Sequence, residues 1–553
     1  MNRNTPSYET NPINIDMSRS TFNMDSSVKT TFDVGEVVPF YCQEVLPGDT
    51  ANIDTSKVVR LQTPLTPFMD NLYLDTYYFY VPCRILWEHW KEFNGEDTTG
   101  YWDQTVDYEI PQITAPAGGW SVGTIADYFG LPTGVSGLSV NALPFRAYAL
   151  IMNEWFRDQN VQLPLDIPKT DATVAGVNTG TFVTDVAKGG LPYIASKYRD
   201  YFTSCLPEPQ KGEDVSIGLA GDLDVYGTGK VLTLTDGTTL FGVGHNTNSP
   251  TGSLNQITST TANVATTGAT AAAGAVGSIL GFPTKASGNK SNAIADLSTA
   301  SAITINALRQ AFAIQKVYEK DARGGTRYTE MIKAHFGVTS PDARMQRPEY
   351  LGGNRVPINV NQVVQQSESG TTPLGETAAY SLTTDYNSDC TKSFTEHGFI
   401  LGLMVARYDH TYQQGIERFW SRKDRFDYYL PSFANLGEMA VLNKEIYATG
   451  TATDDEVFGY QEAWADYRHK PNRVTGEMRS TYATSLDVWH LGDEYSTTPA
   501  LSDAWMREEK ANVDRVLSVQ SSVSNQLFAD ILIKNKMTRP LPMHSIPGLI
   551  DHH

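Results

Sequence analysis

The chain has 553 residues and a net charge of −19 at pH 7, and 40% of its residues are hydrophobic. This acidic balance argues against a protein that coats duplex nucleic acid, because phosphate binding depends on lysine and arginine. The polar start, Met1–Pro6, is unlike a signal peptide, and no apolar run approaches the ~20 residues of a membrane span. We therefore expect a cytosolic product without membrane insertion.

The first third of the chain predicts strands with two short helical segments. Residues 1–30 are polar and irregular, which predicts an extended N-terminal arm that becomes ordered only against a neighbour. Runs of β-branched and aromatic residues predict strands at 32–45, 58–63 and 72–81. The last run is apolar almost throughout, which predicts a strand covered on both faces. Apolar residues at helical spacing predict helices at 86–93 and 142–158.

Residues 208–300 differ in composition from the rest of the chain. From His245 to Ala300 there is one aromatic residue, Phe282, and Thr, Ala, Gly, Ser and Asn dominate. Such a segment has too little apolar area to form its own core, yet it lacks the charge of a disordered tail. We interpret it as a low-complexity insertion that projects from the surface and packs against copies of itself. Within the insertion, Lys230–Val243 predicts a hairpin with a two-residue Asp-Gly turn.

The remainder of the chain returns to an ordinary composition. Helices are predicted at 305–318 and 326–336, the second ended by Gly337 as a C-terminal cap. Later segments predict strands at 399–408 and 516–523, with an aromatic turn region at 424–431. Strands separated by long excursions, with helices confined to the excursions, indicate a mainly β protein built on one elaborated sandwich. That domain would comprise 31–207 and 301–540, followed by an extended tail, 541–553.

The motifs that could carry catalysis or bind a metal are weak. The four cysteines are far apart and lack zinc-ligand spacing, so we expect free thiols. Asp222 with Asp224, and the acidic run 454–456, lack the flanking ligands of a calcium loop and predict solvated turns. His335 lies on an apolar helical face and is interpreted as a hydrogen-bonded core histidine. We predict no catalytic residues, no metal, no cofactor and no enzymatic activity.

One segment, 418–429, alternates basic and aromatic residues. Its candidate contacts to nucleic acid are Arg418, Trp420, Arg422, Lys423 and Arg425. Cations reach phosphates while aromatic faces stack on bases, which is how single strands are held without sequence readout. The alternative is that the aromatic side chains belong to the core and the arginines pair with acidic residues. The acidic partners would then be Asp424, Asp427 or Glu417.

Short blocks along nearly the whole chain, 208–300 excepted, carry a resemblance to known sequences. The blocks are Arg19–Phe22, Pro47–Thr50, Thr63–Asp70, Phe79–Trp87, Ala322–Tyr328, Arg347–Gly353, Asn443–Tyr447, Tyr460–Trp464 and Pro547–His552. In their order they resemble the major capsid protein of microviruses, small tailless phages with single-stranded DNA, and in particular the gokushovirus branch. Ala463 and His469 depart from the pattern, where an arginine and an aromatic residue are expected.

The resemblance implies an eight-stranded viral jelly roll with long inserted loops, assembled into a T=1 icosahedral shell around circular single-stranded DNA. It implies a virion protein, assembled in the cytoplasm of a bacterial host. The insertion would project at the threefold axes and bind a receptor on the host surface. Carbohydrates are among the receptor classes expected. Further partners would be a scaffolding protein, a minor capsid protein and a small basic DNA-binding protein, the last also suggested by the acidity of the subunit.

The C-terminal tail carries a prediction of its own, and two other functions are open to a chain of this composition. The tail residues Pro547, Gly548, Leu549, Ile550 and Asp551 predict an extended path that reaches a neighbouring subunit. A β-sandwich surface protein that binds carbohydrate through its Thr/Asn/Gly loops is the first alternative function. An enzyme on a β-sandwich scaffold is the second, and it is disfavoured because no catalytic constellation is recognisable.

Overall fold

The computed structural model describes most of the chain. The described residues are 19–96, 108–213, 215, five short strands between 225 and 295, 305–325, 327–339, 346–368, 370–371 and 373–544. They fall into two compact units, one of Met1–Lys211 with Glu319–His553 and one of Gly212–Tyr318.

The described strands, in chain order, are β1 (Ser20–Asn23), β2 (Ser26–Phe32), β3 (Val38–Val45), β4 (Thr50–Leu61), β5 (Leu72–Pro82), β6 (Gln112–Thr114), β7 (Ser139–Asn141), β8 (Val174–Ala175), β9 (Val225–Gly227), β10 (Thr233–Thr235), β11 (Leu240–Gly242), β12 (Ile279–Leu280), β13 (Ala293–Ala295), β14 (Glu349–Pro357), β15 (Val360–Val364), β16 (Thr377–Ser381), β17 (Thr383–Ser393), β18 (Gly398–Tyr408), β19 (Glu438–Leu442), β20 (Val457–Glu462) and β21 (Leu527–Arg539). The described α-helices are α1 (Trp90–Phe93), α2 (Ile125–Tyr128), α3 (Leu143–Ile151), α4 (Ile305–Gly324), α5 (Tyr328–Phe336), α6 (Asn443–Ile446), α7 (Asp503–Met506) and α8 (Ala511–Val516).

Two antiparallel sheets form the framework of the larger unit. One has the order β1-β21-β4-β17, with β2 pairing with β21 as well, and the other has the order β14-β5-β18-β3. β1 and β2 run along the same edge of β21, so together they act as one interrupted strand. Each sheet then has four strands, and their connectivity is that of a jelly roll. The predicted fold class, a mainly β sandwich of the viral jelly-roll type, is confirmed.

The sheet β14-β5-β18-β3 has apolar side chains buried on both faces. On one face Phe79, Val81 and Leu403 join a core formed with α3 and the segment around Trp120. On the other face Tyr78 and Met404 join the core between the two sheets. This confirms the prediction that the apolar run at 72–81 is covered on both sides, since nine of the eleven residues of β5 are buried and the other two are partly buried.

The sheet β1-β21-β4-β17 is buried on one face only, and its strands alternate accordingly. β21 alternates strictly between buried and exposed residues from Leu527 to Met537. The sequence reasoning missed this strand and instead predicted one at 516–523, which is wrong. Val513 and Val516 enter the core from α8, Leu517 enters it directly after the helix, and turns follow.

The prediction that all of residues 1–30 need a neighbour for order is wrong for residues 20–30. β1 and β2 form ladders with β21 of the same subunit, and Phe32 is fully buried in the core. Pairing with the long last strand satisfies the backbone groups of these polar residues, which a hydropathy pattern does not reveal. Residues 1–18 lie outside the described residues.

The helical predictions are largely confirmed. Gly337 has a φ of 69° and donates its N–H to the Lys333 carbonyl at 3.0 Å, as predicted for the cap of α5. α3 continues as a π-helical segment, Met152–Phe156, within the predicted 142–158. α4 extends beyond the predicted end at 318. At 86–93 only α1 is α-helical, so that prediction is right in part.

The smaller unit contains short antiparallel pairs. β10 pairs with β11 and with β12, and β9 pairs with β13. The predicted hairpin is present, but Thr235 pairs with Leu240, so four residues separate the strands instead of two. The Asp-Gly pair itself lies outside the described residues, as do Asp222 and Asp224.

Several smaller features concern predicted sites. All four cysteines lie in the described part of the chain and none is bridged. His335 lies 2.6 Å from a carboxylate oxygen of Asp321, so its imidazole is hydrogen-bonded as predicted. Asp454 accepts hydrogen bonds from the N–H groups of Thr449 and Gly450, as in a solvated turn.

Within the described ranges, no group of His, Cys, Asp and Glu has the arrangement of a metal site. Among the described helices, none has the length and apolar content to cross a membrane.

A buried ionic triad joins the strand end at Tyr408 to the segment before α8. His410 Nδ1 lies 3.0 Å from Asp493 and Nε2 lies 2.8 Å from Glu508, and all three side chains are almost fully buried. Burial alone would lower the pKa of His410, but the two carboxylates outweigh it and raise that pKa from 6.5 to about 10. The imidazole is therefore held as a cation between two anions.

The triad predicts a loss of stability at alkaline pH. Unfolding above pH 6.5 releases the His410 proton, so its contribution is complete below that pH and is lost as the pH rises towards 10. We expect the free energy of unfolding of dissociated subunits to fall by up to about 1.4 kcal/mol per pH unit through this proton. In His410→Gln that slope should be absent, as measured by calorimetry from pH 7 to 10. Parallel pH profiles for the two proteins would contradict the assignment.

Candidate nucleic-acid interface

The segment that alternates basic and aromatic residues folds as a series of short turns. It contains the 3-10 helices Arg418–Ser421 and Arg425–Asp427, followed by Pro431–Phe433. Asp424 accepts from the N–H of Phe426 at 2.7 Å, and Asp427 accepts from the N–H of Lys423 at 2.7 Å. These backbone hydrogen bonds lower the pKa of Asp427. Both aspartates are thus used to fix the turn rather than to pair with arginines.

Two of the predicted contact residues have partners within the subunit. Arg418 donates to the Ala440 carbonyl at 2.7 Å and lies 3.4 Å from Glu445. Arg422 forms an ion pair with Asp466, and its guanidinium lies 4.3 Å from the centre of the Tyr467 ring. The alternative in which arginines pair internally is therefore right for these two, although with other partners than Asp424, Asp427 or Glu417.

The other predicted residues are exposed. Lys423 and Arg425 lie on the surface, and 69% of Trp420 is accessible. The neighbouring rings of Phe426, Tyr428 and Tyr429 are exposed as well, so the alternative that the aromatic residues belong to the core is wrong here. We call the exposed residues Lys423, Arg425, Phe426, Tyr428 and Tyr429 the outer patch.

Beside the outer patch lies a cleft of about 580 Å³, hereafter the cationic cleft. Arg418, Trp420 and Arg422 line it, together with residues that the sequence reasoning did not select. The aromatic and charged residues among these include Tyr201, Glu417, Phe419, Tyr467, His469, Lys470 and Arg473. The string 466–473 itself alternates basic and aromatic residues, which is the signal that could have revealed it. Tyr201 comes from a distant segment, and no local pattern identifies it.

The cationic cleft has an excess of positive charge. Five cationic side chains and three carboxylates line it, a net charge of +2 in a chain of net charge −19. At its mouth one carboxylate, Glu417, serves two cations: it pairs with Lys470 and lies 3.8 Å from Arg473. Both cations are 63% exposed, whereas Glu417 is 13% exposed. The mouth therefore presents more positive than negative charge to solvent.

Part of the cleft lining is aromatic and uncharged. The rings of Tyr201 and His469 are stacked at 4.9 Å with 7° between their planes. Burial lowers the pKa of His469, so its imidazole is neutral at pH 7. Phe419 and Trp420 form a second ring pair at 4.6 Å, and Lys470 lies 5.5 Å from the Phe419 centroid. Planar rings and cations thus face the same space.

A strained residue holds one wall of this cleft. Trp464 has a φ of 63°, the one positive value at a non-glycine position among the described residues. Such a conformation costs about 1–3 kcal/mol and persists where its surroundings fix it. Here Trp464 is buried and donates its ring N–H to the Phe433 carbonyl at 2.9 Å. The turn places Asp466 and Tyr467 where they hold Arg422.

The predicted tail residues, Pro547, Gly548, Leu549, Ile550 and Asp551, lie outside the described residues. Their role in contacts between subunits stays a prediction.

The chain is similar to known proteins over almost its full length. A family model described as capsid protein (F protein) of phages matches residues 13–549. Capsid protein VP1 of Spiroplasma virus 4 is 43% identical over 542 residues, which cover 96% of this chain and 95% of the relative. Capsid protein VP1 of Bdellovibrio phage phiMH2K is 41% identical over 96% of this chain and 95% of its own. Capsid protein VP1 of Chlamydia phage 1 is 40% identical over 96% of each chain.

Proposed function

Because the chain belongs to the phage capsid protein (F protein) family, we propose that it assembles with copies of itself into a T=1 icosahedral shell that encloses circular single-stranded DNA. The observation that carries this proposal is a jelly-roll subunit whose sequence is 43% identical to a capsid protein over 96% of the chain. Closed symmetry would let many weak contacts between identical subunits add up without leaving an open edge. The subunit has no enzymatic role in this proposal, and its location is the virion, assembled in the bacterial cytoplasm.

Exposed apolar side chains support self-association. α4 is 20 residues long and buries none of them, although it carries Ile305, Leu308 and Phe312. On α5, Tyr328 and Phe336 are largely exposed. Apolar surface of this extent on a single subunit is typical of an interface.

The apolar side chain of Phe336 gives a test of assembly. We expect Phe336→Ser to leave the melting temperature of dissociated subunits nearly unchanged but to lower the yield of closed particles several-fold. Val523→Ser is the matched control, because Val523 is as exposed but lies in an isolated turn, and it should assemble normally. Sedimentation and electron microscopy measure the particle yield. A wild-type chain that stays monomeric would instead favour the carbohydrate-binding β-sandwich.

For the DNA, we infer that the outer patch faces the packaged strand. Lys423 and Arg425 are exposed cations among exposed rings, the combination that binds single strands without sequence preference. Arg422 is not suited to this test, because its reversal would break the ion pair with Asp466. The subunit's charge of −19 also supports a separate small basic protein that neutralises most of the DNA.

Reversal of the two exposed cations tests this role. In the double variant Lys423→Glu, Arg425→Glu we expect closed shells that contain less DNA, because two phosphate contacts become repulsive. The slope of log affinity against log salt for single-stranded DNA should flatten by about 0.7 for each lost contact. The charge-conserving double variant Lys423→Arg, Arg425→Lys should behave as wild type. An unchanged DNA content would remove these two residues from the interface.

The insertion is proposed to mediate host attachment, with a scaffolding protein and a minor capsid protein as further partners of the shell. Its composition supports a segment that contributes little to the single-subunit fold. The strand pairing supplies a clean excision point, because Val225 and Ala295 are directly paired across β9 and β13. Paired residues of antiparallel strands lie about 5 Å apart, so a tight turn can join them.

Excision at this pair separates attachment from folding. We expect replacement of Tyr226–Ile294 by Asn-Gly to give soluble subunits that melt within a few degrees of wild type, because no described strand loses its partner without being removed itself. Binding of the resulting particles to host cells should be lost. A variant that is insoluble would mean that the insertion belongs to the core, and normal adsorption would exclude it from attachment.

A further inference from the structure

The cationic cleft differs from the outer patch in being a cavity rather than a surface. Its volume of about 580 Å³ lies within the range of about 300–1,000 Å³ that is typical of small-molecule sites. Its lining includes the exposed cations Lys470 and Arg473 and the stacked rings of Tyr201 and His469. A cavity of this size suits one small ligand.

The charges at the mouth favour an anionic ligand. Lys470 and Arg473 share the single carboxylate of Glu417, and the Arg473 nitrogen is 3.8 Å from it, longer than a hydrogen bond. A guanidinium in that position can turn to a phosphate without breaking a hydrogen bond to Glu417. The resulting pair of cations matches the charge of a phosphate group.

The aromatic part of the lining favours a planar, uncharged group. Tyr467, His469 and the Phe419–Trp420 pair supply ring surfaces that are accessible from solvent, and the imidazole is neutral because burial lowers its pKa. Stacking on aromatic rings is tolerant of the base and needs no specific hydrogen bonds. In a phosphate linked to a planar base, the phosphate can contact the cations at the mouth while the base stacks on the aromatic rings.

A neutral sugar fits less well. Each of the three carboxylates of the cleft has a cationic partner, so the negative charges are matched and two positive charges are left over. Glu445 additionally accepts a hydrogen bond from the Tyr201 hydroxyl at 3.1 Å. The unshared charge in the cleft is positive, which a neutral sugar does not use.

We propose that the cationic cleft binds one nucleotide of the packaged strand, with its base against the aromatic lining and its phosphate at Lys470 and Arg473. The inference rests on the proposed function, in which the subunit meets single-stranded DNA. It differs from the outer-patch role by placing one base inside the cleft, on ring surfaces that the outer patch does not contain.

Two oligonucleotides, compared on the wild type and on two double variants, separate the cleft from the outer patch. Dissociated full-length subunits are titrated with fluorescent oligo(dT) and with the same sugar–phosphate chain lacking bases. We expect the abasic chain to bind about tenfold more weakly, which is about 1.4 kcal/mol, the loss of one stacked base. In the variant Phe419→Leu, Trp420→Leu this ratio should fall towards one. In Lys423→Glu, Arg425→Glu both chains should bind more weakly while the ratio is kept.

A pair of arginines provides a matched test of the phosphate contact. Arg473 and Arg468 are similarly exposed, at 63% and 58%, but Arg473 lines the cleft and Arg468 does not. Arg473→Gln should weaken binding of both chains and flatten the salt slope by about 0.7, whereas Arg468→Gln should change neither. Equal effects of the two substitutions would overturn the assignment of the phosphate to the mouth.

A competition on the wild-type protein does not depend on the folding of any variant. Thymidine monophosphate should displace oligo(dT), and the neutral sugar chitotetraose should not. Equal affinity for the base-bearing and abasic chains would overturn the nucleotide site while DNA binding itself stood. Binding of neither chain would contradict the proposed DNA contact as well. Displacement by chitotetraose alone would assign the cleft to carbohydrate.

Discussion

The burial of one sheet on both faces determines most of this architecture. The strands β14-β5-β18-β3 carry apolar side chains on either side, so each side must be covered. The second sheet covers one side, and chain inserted after β5 covers the other through Trp120, Phe145 and Tyr148. The long excursions between strands are therefore part of the stable fold. Loops that served only as connections could be short, but the chain inserted after β5 supplies much of the core on one face of this sheet.

The sequence predicts those parts of the fold that have a strong local pattern. β5 and β18 were predicted because they are apolar almost throughout, and the end of α5 because Gly337 supplies the left-handed cap. β21 was missed because Asp530, Lys534 and Lys536 alternate with its buried residues and lower its mean hydropathy. A search for strict alternation would have found it. The arm prediction was wrong for residues 20–30 because their order comes from that missed strand.

The candidate site was predictable only in part for a related reason. The basic and aromatic segment 418–429 was visible as a run, and so was the string 466–473 in retrospect. The run does not reveal which arginines form ion pairs within the subunit, because the partners come from other segments. Asp466 pairs with Arg422, and Glu445 lies beside Arg418. The aspartates nearest in sequence bind backbone N–H groups instead. Proximity along the chain is a poor guide to ion pairing where turns offer competing donors.

The place of β21 in the sheet order has a consequence for synthesis. This strand, the last in the described chain, lies between β2 and β4, which belong to the first 61 residues. At about 5–20 residues per second, roughly 25 to 95 seconds of translation separate the end of β4 from the end of β21. Until then the facing edges of β2 and β4 are unpaired, a state open to association with other nascent chains. A chain released early lacks β21 and cannot complete this sheet. Only a subunit translated through its last described strand therefore has an intact sandwich with which to join a shell.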